Sequence, residues 1–135
     1  MKKLLFFGLM MCLAAMAWGQ MEYRQLSDVN HQTGETVRYK LYPTEDIWTY
    51  LKLDTQDGTI TIVRYPIKEA STEVYLGRPN ESSSKTAKIG RYELYPTSNI
   101  WRFILIDQID GDVYQVQWNV ERENWGIIRV PYSTQ

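Results

Sequence analysis

Two short acidic stretches are the first places in this sequence where chemistry could be done. Asp54-Thr-Gln-Asp57-Gly58 and Asp107-Gln-Ile-Asp110-Gly111-Asp112 put two and three carboxylates within a few residues of one another. Calcium asks for six to eight oxygens from a tightly spaced loop. Neither stretch has the EF-hand spacing, so Asp107, Asp110 and Asp112 form only a slight calcium candidate, and no resident metal or cofactor is expected. A glycosidase needs two carboxyls roughly 5–10 Å apart, one with its pKa raised by burial. Aspartates in turns are expected to be solvated, with ordinary pKa values, so the chain is not read as an enzyme. A hydrolase built on these aspartates is the least favoured function. An Asp ending a strand and an Asp-Gly closing a turn account for the same residues.

Other catalytic sets cannot be assembled. His31 is the single histidine and Cys12 the single cysteine. His31 lies in a polar stretch and reads as a loop residue, while Cys12 falls inside an apolar opening run. Neither a Ser-His-Asp nor a Cys-His arrangement is available, and no phosphate-cradling glycine loop is present.

The aromatic residues offer more. Trp48, Trp101, Trp118 and Trp125 accompany ten tyrosines. Aromatics dominate β-sandwich cores, yet the runs around Trp48 and Trp101 are apolar on both faces. One set from each run, either Ile47/Leu51/Leu53 or Trp48/Tyr50, and likewise Ile100/Ile104/Ile106 or Trp101/Phe103/Leu105, must meet something other than the interior. If the Trp-bearing faces look outward, Trp48, Tyr50, Tyr42 and Arg38 form one binding patch, and Trp101, Phe103, Tyr95 and Arg91 form its copy. Aromatic and Arg side chains together suit binding hot spots, and aromatic rings stack on sugars.

These patches come in pairs because the chain is written twice. Residues 38–65 align with 91–118 at a constant offset of 53, and 12 of the 28 positions are identical. The shared skeleton is Arg-Tyr-x-Leu-Tyr-Pro-Thr-x-x-Ile-Trp, then Asp-x-x-Asp-Gly, then Val. Each unit reads as an antiparallel meander. Val37–Tyr42 alternates in polarity and is stopped by Pro43, which cannot donate to a ladder. A strand over Ile47–Leu53, an Asp-Gly hairpin and a β-branched strand over Thr59–Tyr65 follow. Fourth strands are expected in 71–79 and 124–132.

The unit resembles one carried by small uncharacterised exported bacterial proteins, of the form Arg-Tyr-x-Leu-aromatic-Pro-Thr-x-Asn-aromatic-x-Phe-Leu-x-Leu-Asp-Thr-x-x-Gly-x-Ile-x-x-Val-x-Trp. Repeat 2 matches at Arg91 to Thr97, Asn99, Trp101, Phe103, Asp107, Gly111, Val116 and Trp118. Repeat 1 departs at Asp46 and Tyr65. The resemblance implies a repeated strand unit and brings no assigned activity.

The expected fold is all-β. Two tandem meanders of about four strands each pack as a pseudo-two-fold sandwich or flattened barrel, since each alone would leave an apolar face wet. Residues 1–19 are read as a signal peptide, 20–33 as a polar arm and 34–135 as one β domain. Within the domain, repeat 1 (34–78) and repeat 2 (87–132) are joined by a polar linker (79–86) of flexible composition. An alternative extends an edge strand through Met21–Leu26.

The leader rests on Lys2 and Lys3, an uncharged run over 4–17, and the small-x-small sites Ala15-Met16-Ala17 and Ala17-Trp18-Gly19, with cleavage expected after Gly19. The run falls short of the about 20 residues of a membrane span. Met11 before Cys12 does not fit a lipobox, so a lipid anchor is not expected. The protein is therefore expected to be exported, periplasmic or secreted, with no membrane insertion after cleavage. Removing the two leader lysines from 15 basic residues leaves 13 against 16 acidic ones, a mixed, mildly acidic surface unsuited to nucleic acid. The function expected is a non-enzymatic binding module for a glycan or an envelope protein. A structural, assembly or inhibitor protein acting through sheet edges is the alternative.

Overall fold

The computed structural model describes residues 37–134. The leader with Cys12, the polar arm, His31 and the first residues of repeat 1 lie outside the described residues. Among the described residues, eight strands follow one another: β1 (Tyr39–Pro43), β2 (Thr49–Asp54), β3 (Ile60–Arg64), β4 (Thr72–Gly77), β5 (Tyr92–Pro96), β6 (Arg102–Asp107), β7 (Val113–Gln117) and β8 (Gly126–Arg129). They form two antiparallel meanders, sheet 1 in the order β1-β2-β3-β4 and sheet 2 in the order β5-β6-β7-β8. The sheets pack as a sandwich and do not close into a barrel.

The two copies share their order throughout and their register over the first three strands; a bulge between Ile60 and Thr61 shifts β4 by one residue relative to β8. Tyr39 pairs with Asp54 as Tyr92 pairs with Asp107, and Leu51 pairs with Ile62 as Ile104 pairs with Gln115. Pro43 and Pro96 end the edge strands β1 and β5, where a missing N–H costs no ladder bond. Thr44 and Thr97 fasten the loops that follow, each hydroxyl donating to the carbonyls of residues two and five positions on. Gly58 and Gly111 close the central hairpins at φ +78° and +77°, a region that disfavours any side chain. The run expected as a strand from Ile47 starts only at Thr49. Ile47 and Trp48 belong to the loop, because Asp46 captures the Trp48 N–H and the Thr49 hydroxyl.

The faces that meet are not equivalent faces. We call the side carrying Tyr39 and Leu41, with Tyr92 and Leu94 in repeat 2, the front, and the side carrying Tyr42 and Tyr95 the back. Sheet 1 buries its back: Leu51, Leu53, Ile60, Ile62 and Leu76. Sheet 2 buries its front: Tyr92, Leu94, Phe103, Leu105, Tyr114, Val116 and Trp118. Tyr92 and Leu94 are each 1% exposed, while their counterparts Tyr39 and Leu41 are 53% and 57% exposed. A two-fold axis between the sheets would bring the same face inward from both. The expected pseudo-two-fold relation therefore does not hold, and the sheets stack front to back. Since side chains alternate along a strand, one sequence pattern supplies both mating surfaces, provided that both of its faces are apolar.

The segment between the repeats is more than a flexible connection. Asn80–Ser84 forms a 3-10 turn with Ser82 buried, and Pro79 packs on Gly58, whose Cβ would stand 2.9 Å from the proline Cδ. Beyond it, the Tyr92 N–H donates to the Thr55 carbonyl and the Gly90 N–H to the Thr55 hydroxyl, tying β5 to the first hairpin.

Three polar atoms in this interior, the hydroxyls of Tyr92 and Tyr114 and the Trp118 indole nitrogen, have no partner among the described residues. Burial pushes the Tyr114 hydroxyl up to about 12. An unpartnered buried hydroxyl contributes nothing that its removal would lose. Tyr114→Phe should therefore leave denaturation midpoints within about 1 kcal/mol of the parent or raise them, whereas Leu105→Ala should cost about 2–5 kcal/mol. A Tyr114→Phe loss as large as that of Leu105→Ala, measured by urea unfolding, would contradict this packing.

Candidate functional site

The acidic turn of repeat 2 is the densest charge cluster on the described chain. Asp107 ends β6 and accepts the Ile109 and Asp110 N–H groups with one carboxylate oxygen, an arrangement that folds the turn. Asp110 and Asp112 follow within it, and one carboxylate oxygen from each of the three lies within 4.8 Å of the others. The calcium reading requires this convergence. A cation is already among them, however: Lys85, sent over from the segment between the repeats, places its Nζ 2.7 Å from Asp107, 3.0 Å from Asp110 and 2.8 Å from Asp112. Arg91 adds bonds to Asp107 and Asp110, and Arg129 one to Asp112. Three carboxylates face three cations, so a metal ion would have to displace Lys85.

The expectation of solvated turn aspartates fails here. Asp107 is fully buried. Burial by itself would raise its pKa, but the hydrogen bonds from Lys85, Arg91 and the two backbone N–H groups overcome that and bring it to about 2. Lys85 also loses hydration, which alone would lower its pKa, and the three carboxylates raise it well above the ordinary lysine value. A general acid needs a raised carboxyl pKa, and this cluster produces the opposite.

Repeat 1 has the same clamp in weaker form. Arg38 donates to Asp54 as Arg91 does to Asp107, and Asp54 accepts the Gln56 N–H. Here the arginine is half exposed, stacks at 5.0 Å over the Tyr39 ring, and has no counterpart of Lys85 among the described residues. Arg38 and Arg91 were expected in the aromatic patches, and both turn out to fasten hairpins. Asp57 does likewise, accepting the Thr59 N–H.

The aromatic patches are not duplicated at the surface. Trp101 packs edge-on against buried Trp118 at 5.2 Å, and Phe103 lies in the core. Their copies Trp48, Tyr65 and Tyr50 make the same kind of contact, with Trp48 and Tyr65 at 5.8 Å, but on the uncovered front of sheet 1. Tyr65 is 39% exposed where Trp118 is wholly buried. Tyr42 and Tyr95 sit on the back faces. Tyr42 is half buried and bonds Glu93 beside Lys40, which raises its pKa through burial first and that hydrogen bond second; Tyr95 is exposed.

Among the described residues, the aromatic patch is thus exposed in one copy, on sheet 1. Tyr39, Leu41, Trp48, Tyr65 and Tyr75 surround half-buried Tyr50 and Val63, with a Lys52–Glu73 ion pair and Thr61 at the centre. Tyr39, Leu41, Tyr65 and Tyr75 were absent from the expected site. Tyr39 and Leu41 show the alternation of a core strand, and only the direction of stacking reveals which copy of that strand stays uncovered. No protein-family model, curated protein or solved structure matches the chain.

Asp107 sits below the pKa of about 3.9 of a free aspartate. Its stabilisation is therefore complete above that value and is lost as pH falls through about 2, roughly 2 kcal/mol in all. Asp107→Asn leaves Lys85 and Arg91 without their buried partner and should cost about 3–5 kcal/mol. Asp54 is also buried, but its partner Arg38 is half exposed and returns to water, so Asp54→Asn should cost less, about 1 kcal/mol. Acid and urea denaturation of the pair check both, and equal losses would contradict the difference in exposure between Arg38 and Arg91. Millimolar calcium should leave the melting temperature unmoved, since Lys85 holds its place.

Proposed function

We propose that the protein is an exported, non-enzymatic interaction module whose working surface is the aromatic front of sheet 1. One observation carries the reading: the face whose counterpart repeat 2 buries stands uncovered in repeat 1, with Tyr39, Leu41 and Tyr75 each more than half exposed around the polar Lys52 and Thr61. Contiguous apolar faces of this kind mark interaction sites on soluble domains. Tyrosine and tryptophan supply rigid contact area, and the Lys52–Glu73 pair gives the centre a polar anchor. The basic and then apolar opening of the chain supports export. The non-enzymatic part of the reading is supported by the state of the carboxylates, since those in the turns are engaged by cations or backbone N–H groups.

Candidate ligands are a glycan ring stacking on the tyrosines, or an apolar face of an envelope protein. Trp48 borders the patch, so its fluorescence reports occupancy. Titrating the secreted protein with a glycan panel and with purified envelope proteins should shift that emission for the cognate ligand. Tyr39→Ser combined with Leu41→Ser and Tyr75→Ser should abolish the shift, with the melting temperature held within a few degrees. Retained binding in the triple variant would move the working surface elsewhere. Collapse of its fold would make these residues structural.

A further inference from the structure

We propose that the front of sheet 1 is covered by the back of sheet 2 from a second copy of this chain, so that copies continue the stacking found inside one molecule. The inference rests on the interaction-module reading and names its partner.

The internal junction is a worked instance of the contact. It joins the back of one repeat to the front of the next. Among the described residues, each molecule then ends in an unused front, on sheet 1, and an unused back, on sheet 2. The unused front carries Tyr39, Leu41, Tyr50, Val63 and Tyr65, at the positions of the buried Tyr92, Leu94, Phe103, Val116 and Trp118. The unused back carries Ile104, Ile106 and Val113 at the positions of the buried Leu51, Leu53 and Ile60, and exposed Ile128 extends it on β8. The polar changes fall on both surfaces. Lys52 and Thr61 replace Leu105 and Tyr114 on the front, and Gln115 replaces Ile62 on the back, so donors and acceptors are available on each side.

Charge adds an independent argument. At the β1/β5 edge, Lys40 meets Glu93, and these occupy the same repeat position. In a stack with one repeat following another, this position forms a column of alternating Lys and Glu. The junction between molecules would set Glu93 of one copy against Lys40 of the next, opposite charges again. Two like residues at this position would repel at every junction.

The hairpins agree. The Gly58 turn of sheet 1 is packed by Pro79 and Tyr92, whereas nothing described stands within 4 Å of a Cβ built on Gly111 in the matching turn of sheet 2. That end of the molecule is open to a neighbour. A head-to-tail contact of this type yields a ring where the rotation closes and a filament where it does not. A face of four strands by five residues has a footprint on the order of 300 Å². That is small for a specific interface, so a single junction is weak and closure of a ring would strengthen it.

Sedimentation velocity and light scattering on the mature protein should show mass rising with concentration. Leu41→Glu on the front and Ile128→Glu on the back, both at exposed positions, should each weaken association by roughly ten-fold or more. An equimolar mixture of the two variants retains one good front and one good back, and should give a mixed dimer and nothing larger. The double exchange Lys40→Glu with Glu93→Lys should self-associate as the parent does, yet fail to co-assemble with it. A parent that stays monomeric to millimolar concentration overturns the proposal, and so does association that Leu41→Glu removes and Ile128→Glu does not. In either case, Trp48 fluorescence responding to a glycan or an envelope protein would leave the interaction-module reading standing.

Discussion

A four-stranded meander has two faces, and a single neighbouring sheet can cover only one of them. In this protein both faces of both meanders are apolar to a degree, so the direction of stacking decides which residues become core. Sheet 1 gives its back and sheet 2 its front. The wholly buried side chains contribute about 1.5–3 kcal/mol each, and the buried set comes from opposite halves of the repeat pattern. The differences between the copies follow from this one choice. Lys52 and Thr61 are tolerated because their face meets water, while Leu105 and Tyr114 at the same positions seal the interior.

The residues shared by the copies divide into two groups. One group shapes the backbone and is indifferent to which face is covered: Pro43/Pro96 at the strand ends, Thr44/Thr97 across the loops, Arg38/Arg91 on Asp54/Asp107, and Gly58/Gly111 at positive φ. The other group lies on the faces and changes its work with the stacking, as Tyr39/Tyr92, Leu41/Leu94 and Val63/Val116 do. The strongest clamp is in repeat 2, where the segment between the repeats delivers Lys85 to the acidic turn. A chain stretch that reads as a spacer thereby pins the second sheet and neutralises the acidic turn.

The tandem copy, the strand order, the Asp-Gly hairpins and the proline-ended edges were legible from the residues, because each depends on local chemistry and on a period of two. The conflict at β2 was legible too: a run apolar on both faces cannot satisfy a single core. Its resolution was not. Choosing between Leu51/Leu53 and Tyr50 requires the neighbouring sheet, and no local signal states that the neighbour presents its opposite side. The assumption of a two-fold axis came from treating like units as symmetric mates. For the same reason the aromatic patches were expected in duplicate, although Phe103 and Trp118 are buried by the stacking that leaves Tyr50 and Tyr65 uncovered. Lys85 was missed because its three partners lie 22 to 27 positions later and belong to another element.

Front-to-back stacking has a consequence that face-to-face stacking lacks. Two like units meeting through the same face use that face up, and what remains outside is one kind of surface, which need not fit itself. Two like units meeting front to back leave one of each kind, and these are the mates already joined inside the molecule. Mutation can spoil that fit by making either outer face polar throughout. Here the outer front keeps its tyrosines and Leu41, the outer back keeps Ile104, Ile106 and Val113, and the edge position alternates between Lys40 and Glu93. Exposed apolar side chains add to the hazard of aggregation. Their retention on both ends, with complementary charge beside them, is better accounted for by surfaces that are used than by surfaces that merely face water.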